Sequence, residues 1–322
     1  MFYRPDHLRN ETLYVITTLF NPQRFRSRWK LLTPFEKYVL DSGAYLVTIE
    51  ASFGRRARVF VEQRSENHMI IHIRTSHELW VKENMINLAI QRLPEDWRYV
   101  AWIDGDVTFA RPDWVGETLH RLQHYHLIQM FTEAVDLSPS YQIVSKFKSW
   151  MYCYHENFPD MPGSDYYYGT PKGDVIHWHP GYAWAARKEA IDHLGGLMDW
   201  AILGSADRHM AAALIGQVKT SVNAKIQSSY MAMLVEWEKR ADRYIRRNVG
   251  YMDGLLLHYW HGKKVNRGYK DRWKILIDNK YDPNLDVKRD SQGLWQLTDR
   301  NYKLRDGIRE YFQSRNEDDI TL

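Results

Sequence analysis

Two aspartates flank one glycine in Asp104-Gly105-Asp106, and the types and spacing of these residues point directly to chemistry. The triplet follows residues 99–103 (YVAWI), a run that is apolar on both faces, as in a central strand of a covered sheet. Ligands of open α/β sheets bind outside the carboxyl ends of such strands. Two carboxylates on a tight glycine turn can bind one hard divalent cation, which would neutralise a diphosphate leaving group. A plain Asp-Gly turn is the alternative interpretation.

The segment that runs from His258 through His261 to Lys264 is the best candidate for a third metal ligand. A neutral imidazole suits Mn²⁺, and the cations of Lys263, Lys264 and Arg267 would complement phosphate charge. The spacing of His258 and His261 allows both imidazoles onto one face. Each histidine could instead be a packed structural residue, and the sequence leaves both interpretations open.

The elements that must position these residues alternate as in an α/β domain. Apolar, β-branched runs predict strands over residues 13–19, 44–49, 68–73 and 126–131, in addition to the run at 99–103. Apolar positions at helical spacing predict a helix over 81–93, which ends before a proline.

The second half of the chain adds helices and a loop. One helix begins near Asp207, with Ser205 or Asp207 as its N-cap, and a longer amphipathic helix covers about 226–247. Residues 155–175 are turn-rich and aromatic, which predicts a long surface loop. The tail from about residue 275 is polar, which is typical of a loosely packed chain end.

The composition is that of one large domain or two closely packed ones, since 322 residues with 44% hydrophobic side chains can bury a full core. Mean hydropathy is −0.56, and no apolar stretch approaches the roughly 18 residues of a membrane-spanning helix. The amino-terminal sequence lacks the arrangement of a secretory signal. Cys153 is the only cysteine, which excludes an intrachain disulfide and a cysteine-held zinc. We therefore expect a soluble cytoplasmic protein with no membrane span and no disulfide-linked partner.

The positive charge of the chain is concentrated in one region. The net charge is +4, but residues 239–274, called here the basic segment, carry eleven Lys and Arg against three acids, a net +8. A local basic zone suits phosphate binding better than a uniformly solvated surface does. Aromatic residues interleave with these cations: Tyr244, Tyr251, Tyr259, Trp260, Tyr269 and Trp273.

Three stretches carry a resemblance to a known family. They are residues 80–114 (WVKENMINLAIQRLPEDWRYVAWIDGDVTFARPDW), residues 181–216 (GYAWAARKEAIDHLGGLMDWAILGSADRHMAAALIG) and residues 258–269 (HYWHGKKVNRGY). In this order they resemble the donor-binding half, the acceptor-side half and the closing histidine-bearing motif of glycosyltransferases with the GT-A fold and an Asp-x-Asp motif. The resemblance covers most of residues 13–275. It implies an α/β, Rossmann-like fold with a mixed, mostly parallel central sheet flanked by helices.

The resemblance also implies a domain organisation and a reaction. A single catalytic domain would span residues 1–275, with its donor-binding half at about 13–110 and its acceptor-side half at about 111–275. Residues 276–322 would form a C-terminal extension. The reaction would be the metal-dependent transfer of a hexose or pentose from a nucleotide-diphosphate sugar to a hydroxyl acceptor, with Mn²⁺ or Mg²⁺ as cofactor.

Site residues follow from the same resemblance. Asp106 would ligate the metal directly, Asp104 would contact ribose or metal-bound water or ligate the metal, and His258 would be the third protein ligand. The residues implied in donor binding are Thr17, Asn21, Glu50, Lys82, Asn87, Asp104, His261, Gly262, Lys263, Lys264 and Arg267. For Lys82 and Asn87, a solvated helix face is the alternative.

Asp207, in the stretch GSADRH, lies where many inverting enzymes of the resembled family place their catalytic carboxylate. Such a carboxylate takes the hydroxyl proton of the acceptor as its oxygen attacks the anomeric carbon. Helix capping alone would also explain an aspartate at this position, and Asp199 is the reserve candidate. His179 and Trp184 either shape the acceptor pocket or are simply buried.

The acceptor is less constrained than the donor. The basic segment with its aromatic residues suits a nucleic acid that flips a base outward, so the leading acceptor is a hydroxymethylated pyrimidine in DNA. This is the substrate of a phage class of glycosyltransferases, which act in the bacterial cytoplasm or the infected host cell. A cell-surface glycan or a lipid-linked acceptor is the alternative.

Two rival functions come from other classes. A nucleotidyltransferase would also use paired carboxylates and a metal, but it usually has an early glycine-rich phosphate loop, and residues 17–25 (TTLFNPQRF) are not one. A non-catalytic protein that binds nucleic acid or glycan would use the basic segment and would not need Asp104 and Asp106.

Overall fold

The structure is a computed structural model that describes residues 11–54, 60–158, 178–269 and 271–321. Most of the surface loop predicted at 155–175 lies outside the described residues. Within the described ranges, no helix is both long enough and apolar enough to cross a membrane.

Strands and helices alternate along the described chain. The strands are β1 (Leu13–Phe20), β2 (Tyr45–Phe53), β3 (His68–Thr75), β4 (Tyr99–Ile103), β5 (Val107–Phe109), β6 (Leu127–Gln129), β7 (Glu133–Leu137), β8 (Ile143–Ser149), β9 (Trp178–His179), β10 (Ala183–Arg187), β11 (Val249–Tyr251), β12 (Leu255–His258), β13 (Val287–Arg289) and β14 (Trp295–Leu297). The helices are α1 (Arg26–Asp41), α2 (Lys82–Ile90), α3 (Trp114–Arg121), α4 (Trp150–His155), α5 (Lys188–Leu194), α6 (Ala206–Leu214), α7 (Ser228–Arg240), α8 (Asp271–Asp278) and α9 (Tyr302–Ser314).

Seven strands form the central sheet, in the order β11-β6-β10-β4-β1-β2-β3. β1 runs parallel to β2 and β4, and β2 runs parallel to β3. β10 is antiparallel to β4 and β6, whereas β11 is parallel to β6. The sheet is therefore mixed and mostly parallel, and helices pack on it, which confirms the fold class predicted from the sequence.

Side chains of the central strands alternate between two cores, one on each face of the sheet. On β4, Val100 and Trp102 belong to the core that includes α2, whereas Ala101 and Ile103 belong to the core that includes α1. Because both faces are covered, β4 is apolar throughout, as its sequence predicts. The first acidic residue after β4 is Asp104, at the carboxyl edge of the sheet.

A second sheet, in the order β5-β12-β7-β8-β9, begins directly after the turn at residues 104–106. β12 lies between β5 and β7, so that His258 pairs with Val107 on one side and with Asp136 on the other. This register places the imidazole of residue 258 beside the turn that follows β4, although the two are far apart in the chain.

The residues after 275 pack against the body of the protein. Leu304 and Ile308 of α9 are fully buried in the core that includes α2. Phe312, one turn further on, packs edge-on against Phe20 at the end of β1, with ring centroids 6.1 Å apart. The tail is thus packed rather than loose, because its few apolar residues recur at helical spacing and share one face.

Candidate active site

A cavity of about 180 Å³, called here the central pocket, opens at the carboxyl edge of β4. The turn after β4, the start of α2, the start of α6, the end of β12 and α9 all contribute to its walls. Eight residues predicted from the sequence line it: Lys82, Asp104, Asp106, His179, Asp207, His258, His261 and Arg267.

Asp106, His258 and His261 form the one group among the described residues that could hold a metal ion. One ligand atom from each lies within 4.8 Å of the other two. His261 Nε2 lies 3.0 Å from Asp106 Oδ2 and 3.2 Å from His258 Nε2. Burial alone would raise the pKa of Asp106, but His261 and His258 in their protonated forms, together with the guanidinium of Arg267, lower it.

The partners of each imidazole indicate which nitrogen carries its proton. His258 Nδ1 donates to Asp136 Oδ1 at 2.8 Å, because a carboxylate can only accept. Arg267 donates to His261 Nε2 at 2.9 Å, which leaves the proton of His261 on Nδ1. Both imidazoles therefore direct an unprotonated Nε2 toward Asp106.

These three residues fit the divalent cation that the sequence implies. Oδ1 of Asp106 is buried and has no hydrogen-bond partner among the described residues. This oxygen and Nε2 of His258 are acceptors that a cation would satisfy, and at Nε2 of His261 the cation would replace the hydrogen bond from Arg267. Carboxylate oxygen suits Mg²⁺ and Mn²⁺, and imidazole adds affinity for a transition metal. Asp106, His258 and His261 would hold the ion.

Asp104 lies in the same pocket but forms an ion pair with Lys82, the first residue of α2. Burial alone would lower the pKa of Lys82, yet the carboxylates of Asp104 and Glu83 raise it, so the ammonium stays charged. Lys82 is thus directed into the pocket rather than into solvent. The pair fixes the orientation of Asp104 next to the turn that carries Asp106.

Asp207 is the second residue of α6, and its side chain reaches the central pocket. Its Oδ1 accepts a hydrogen bond from the amide of Arg208 at 2.8 Å. A methyl group placed on Gly181 would lie 2.7 Å from its Oδ2, so the glycine leaves room for this carboxylate. Ser205, not Asp207, occupies the N-cap position, and its hydroxyl accepts from Arg272 instead of capping the helix.

Two residues expected at strand ends make local hydrogen bonds and do not line the central pocket. The Glu50 carboxylate accepts from the backbone amides of Phe60 and Val61, at 2.8 to 2.9 Å. The Asn21 side chain accepts from and donates to the backbone of Phe25 and so shapes the turn before α1. The third, Thr17, is fully buried beneath Gly105.

Asn87 and Asp199 belong to one buried cluster away from the central pocket. Asn87 donates to Asp199 Oδ2 at 3.0 Å, and the same oxygen accepts from Arg289 at 2.7 Å. Trp295 donates to the other oxygen of Asp199 at 3.1 Å. Asp199, the reserve candidate for catalysis, therefore joins α2 to the β13-β14 hairpin.

The two candidates for the acceptor pocket have different environments. His179 lines the central pocket and stacks on Tyr182, with ring centroids 3.8 Å apart. Trp184 is buried in the core and donates to the carbonyl of Pro180 at 2.8 Å.

The lysines after β12 do not line the central pocket. Lys264 pairs with Asp136, the carboxylate that holds His258. Lys263 has an extended backbone and directly precedes a short 3₁₀ turn, Lys264–Arg267. Gly262 has a φ of +87°, and a methyl group on it would lie 2.8 Å from the Cα of Glu317. Only a glycine leaves room there for the C-terminal segment.

Several pocket residues escaped the sequence interpretation. Arg272 and Arg315 line the central pocket, and Glu83 is buried there, where burial raises the pKa of its carboxyl group to about 7. Asp136 and Glu317 lie behind the two histidines. An aspartate inside the apolar strand EAVDL was the one local signal for Asp136, whereas the tail offered none for Glu317.

The structure divides the basic segment between opposite edges of the central sheet. Arg267, Tyr269 and Arg272 line the central pocket at the carboxyl edge of β4. The other half ends in a π-helical turn, Ala241–Ile245, that leads into β11. β11 begins at Val249, which pairs with Leu127 of β6. Leu127 is in register, through β10, with Val100 near the amino end of β4, so this half of the segment lies at the opposite edge of the sheet. The basic segment therefore does not form one continuous surface.

No protein-family model matches the chain, and no curated protein matches it. The catalytic domain of Drosophila beta1,4galactosyltransferase 7, solved in complex with xylobiose, is similar over 92% of this chain and 98% of its own, with 9% identity and a TM-score of 0.38. A putative nucleotide-diphospho-sugar transferase from Desulfovibrio desulfuricans is similar over 97% of this chain and all of its own (100%), with 12% identity and a TM-score of 0.34. A 4-diphosphocytidyl-2C-methyl-D-erythritol synthase from Anaerococcus prevotii is similar over 76% and 89%, with 12% identity and a TM-score of 0.33. Similarities this weak decide nothing about the chemistry, which depends on the site itself.

Replacing Gly262 will test how closely the C-terminal segment packs on the histidine loop. Gly262→Ala is expected to destabilise the protein by about 2 kcal/mol or more, because the energetic cost of the positive φ and that of the close contact with residue 317 add together. Gly43→Ala is the matched control, since its φ is +79° but nothing lies within 4 Å of the added methyl group. Urea unfolding of the two variants measures the difference. Equal losses of stability would contradict the close packing.

Proposed function

We propose that this protein is a metal-dependent glycosyltransferase that transfers a sugar from a nucleotide-diphosphate sugar to a hydroxyl acceptor. One observation carries the proposal: two imidazoles and the Asp106 carboxylate converge in a pocket that also contains Asp207. Such a pocket offers a site for a diphosphate-bound cation and, beside it, a carboxylate to accept a proton.

The charges of the pocket suit departure of a nucleoside diphosphate. Asp106, His258 and His261 would hold Mn²⁺ or Mg²⁺, and the ion would supply positive charge to neutralise the leaving diphosphate. Arg267 lies 2.9 Å from His261, and its guanidinium adds fixed positive charge on the same side. Charge that is already in place needs no reorganisation as the bond breaks, which is the main way such sites lower a barrier.

Asp207 is the base of the proposed reaction. Its Oδ1 is held by the amide of Arg208, and its Oδ2 lies against Gly181 in the wall of the central pocket. An acceptor hydroxyl bound in that pocket can give its proton to Asp207 as its oxygen attacks the anomeric carbon. Asp104, fixed by Lys82, lies across the pocket and is available for the ribose or sugar hydroxyls of the donor.

Turnover of the donor tests the proposal directly. With Mn²⁺ and a panel of nucleotide sugars, the wild-type protein is expected to release nucleoside diphosphate from at least one donor. Asp106→Ala should lower this release by about 10²-fold or more, because it removes a metal ligand and its charge. Asp192→Asn, on the exposed face of α5, is the control and should keep wild-type activity. Release that is unchanged in Asp106→Ala, or absent with every donor, rejects the proposal.

The role of Asp207 is tested against that of Asp199. Asp207→Asn is expected to lower kcat by about 10²–10⁴-fold while leaving Mn²⁺ affinity unchanged, because it loses the proton acceptor and no metal ligand. Asp199→Asn should lower the melting temperature and leave kcat near the wild-type value, because it weakens a buried structural cluster. Steady-state kinetics and thermal unfolding of both variants distinguish the two roles. Equal values of kcat would count against Asp207.

For the acceptor we propose a hydroxymethylated pyrimidine in DNA, modified in the bacterial cytoplasm or an infected host cell. The support is the basic segment, whose half near Tyr244 keeps an exposed aromatic side chain among arginines. In the other half, Arg267 and Arg272 line the central pocket and Lys264 pairs with Asp136, so the charge available for DNA is smaller than the sequence suggests. A cell-surface glycan or a lipid-linked acceptor is the alternative.

Mass spectrometry of DNA separates these acceptors. With the active donor and Mn²⁺, DNA that contains hydroxymethylcytosine is expected to gain one sugar mass per modified base, and unmodified DNA of the same sequence should gain none. Unchanged DNA with a donor that the protein does hydrolyse would move the acceptor to the glycan or lipid class. If the protein binds DNA without turning over any donor, and Asp104→Ala with Asp106→Ala keeps that binding, it is a non-catalytic binding protein.

A further inference from the structure

We propose that Glu317, in the C-terminal segment, is a positioning residue of the metal site and holds His261 from behind as Asp136 holds His258. The inference rests on the proposed metal site and extends it to a part of the chain that the sequence resemblance does not cover. It assigns Glu317 of the C-terminal segment a role in the metal site.

The two histidines have matching surroundings. His258 directs Nε2 toward Asp106 and places Nδ1 2.8 Å from Asp136. His261 directs Nε2 toward Asp106 at 3.0 Å and places Nδ1 3.8 Å from Glu317 Oε2. Each imidazole therefore lies between Asp106 and a second carboxylate. Asp136 is hydrogen-bonded to Nδ1 of His258, whereas Glu317 is in longer, ion-pair contact with Nδ1 of His261. A carboxylate behind a ligating imidazole fixes the tautomer and ring orientation and makes the facing nitrogen a stronger ligand.

Glu317 is held firmly enough to act in this way. Its side chain is only 2% exposed. Arg28 of α1 donates to both of its oxygens, at 2.5 and 2.8 Å, and Arg315 donates to Oε1 at 2.6 Å. Two arginines fix the plane of the carboxylate, and Oε2 is the oxygen that lies nearer to the His261 ring.

The backbone around Glu317 is fastened to the loop that carries His261. The Trp260 indole donates to the carbonyl of Asp319 at 2.6 Å, and Gly262 leaves room for the backbone of residues 316–317. Asp318 accepts from the amides of Arg26 and Ser27 at the start of α1, at 2.9 and 2.8 Å. The segment thus connects α1 to the histidine loop, and Glu317 lies at the connection.

A buried carboxylate between two arginines has a structural explanation as well, because it neutralises them. That explanation accounts for the ion pairs and does not require the approach to Nδ1 of His261. The two explanations differ in what they predict for metal affinity, which is the quantity to measure.

The test is a Mn²⁺ titration without any donor or acceptor, in which the EPR signal of free Mn²⁺ measures how much of the metal is bound. Glu317→Gln is expected to weaken Mn²⁺ binding by about 10–100-fold, because the imidazole of residue 261 loses its anionic partner. Asp306→Asn is the control, since it neutralises an exposed carboxylate of α9 that pairs with Arg305 and does not contact the metal site. Its Mn²⁺ affinity should stay within about 3-fold of wild type. Glu317→Gln with wild-type affinity overturns the inference.

A double-mutant cycle separates positioning from general loosening of the fold. In a His261→Gln background, Glu317→Gln should have little further effect on Mn²⁺ affinity, because the residue through which it acts is gone. An equal loss in both backgrounds would show that residue 317 acts through the fold alone and would overturn the inference. Circular dichroism without metal checks folding, and Glu317→Asp, which keeps the charge between the arginines, replaces Glu317→Gln if that variant does not fold.

The measurements also distinguish failure of this inference from failure of the proposed function. If the wild-type protein binds no Mn²⁺, the metal site itself is wrong. If it binds Mn²⁺ and Glu317→Gln binds it equally well, only the role of Glu317 is wrong.

Discussion

The convergence of acceptor atoms on one point beside β4 is the constraint on which the rest of the site depends. Two unprotonated imidazole nitrogens and a carboxylate lie within 4.8 Å of one another, and one oxygen of Asp106 has no hydrogen-bond partner among the described residues. Groups of this kind repel one another and lose their hydration when buried, so they stay together only where the surroundings compensate. Here Arg267 donates to Nε2 of His261, Asp136 is hydrogen-bonded to Nδ1 of His258, and Glu317 lies 3.8 Å from Nδ1 of His261. A cation would complete the balance.

Holding such groups together requires rigid supports from several directions. β12 is hydrogen-bonded on both sides, to β5 and β7, so His258 cannot shift without breaking a ladder. His261 lies beyond the end of that strand and depends instead on Arg267 and on the C-terminal segment. The site is therefore assembled at the junction of two sheets and a tail. This arrangement is consistent with the burial of Leu304, Ile308 and Phe312 of α9 in the core of the protein.

Local patterns were enough to predict the central strand, the turn that follows it and the helix that carries Lys82. Each depends on residues that are close in sequence, since β4 is apolar on both faces and the Asp-Gly turn ends it. The same patterns could not decide what a polar residue at a strand or helix end would meet. Glu50 meets the amides of residues 60 and 61, and Asn87 meets Asp199, because the neighbouring loop or hairpin offers donors and acceptors that no local pattern reveals. The basic segment is a further case: β11 and β12 belong to different sheets, so the cations before β11 and those after β12 lie in different parts of the protein.

The sequence by itself determined the apolar runs, the acidic turn and the chemical types of the ligands, because each is a property of one short stretch. Only the tertiary structure decided that His261 joins His258 at Asp106, that Asp136 and Glu317 lie behind them, and that Arg272 and Arg315 line the pocket. The physical reason is the short range of the interactions involved. Hydrogen bonds and ligand contacts act over about 3 Å, so they depend on strand order and register among segments distant in the chain.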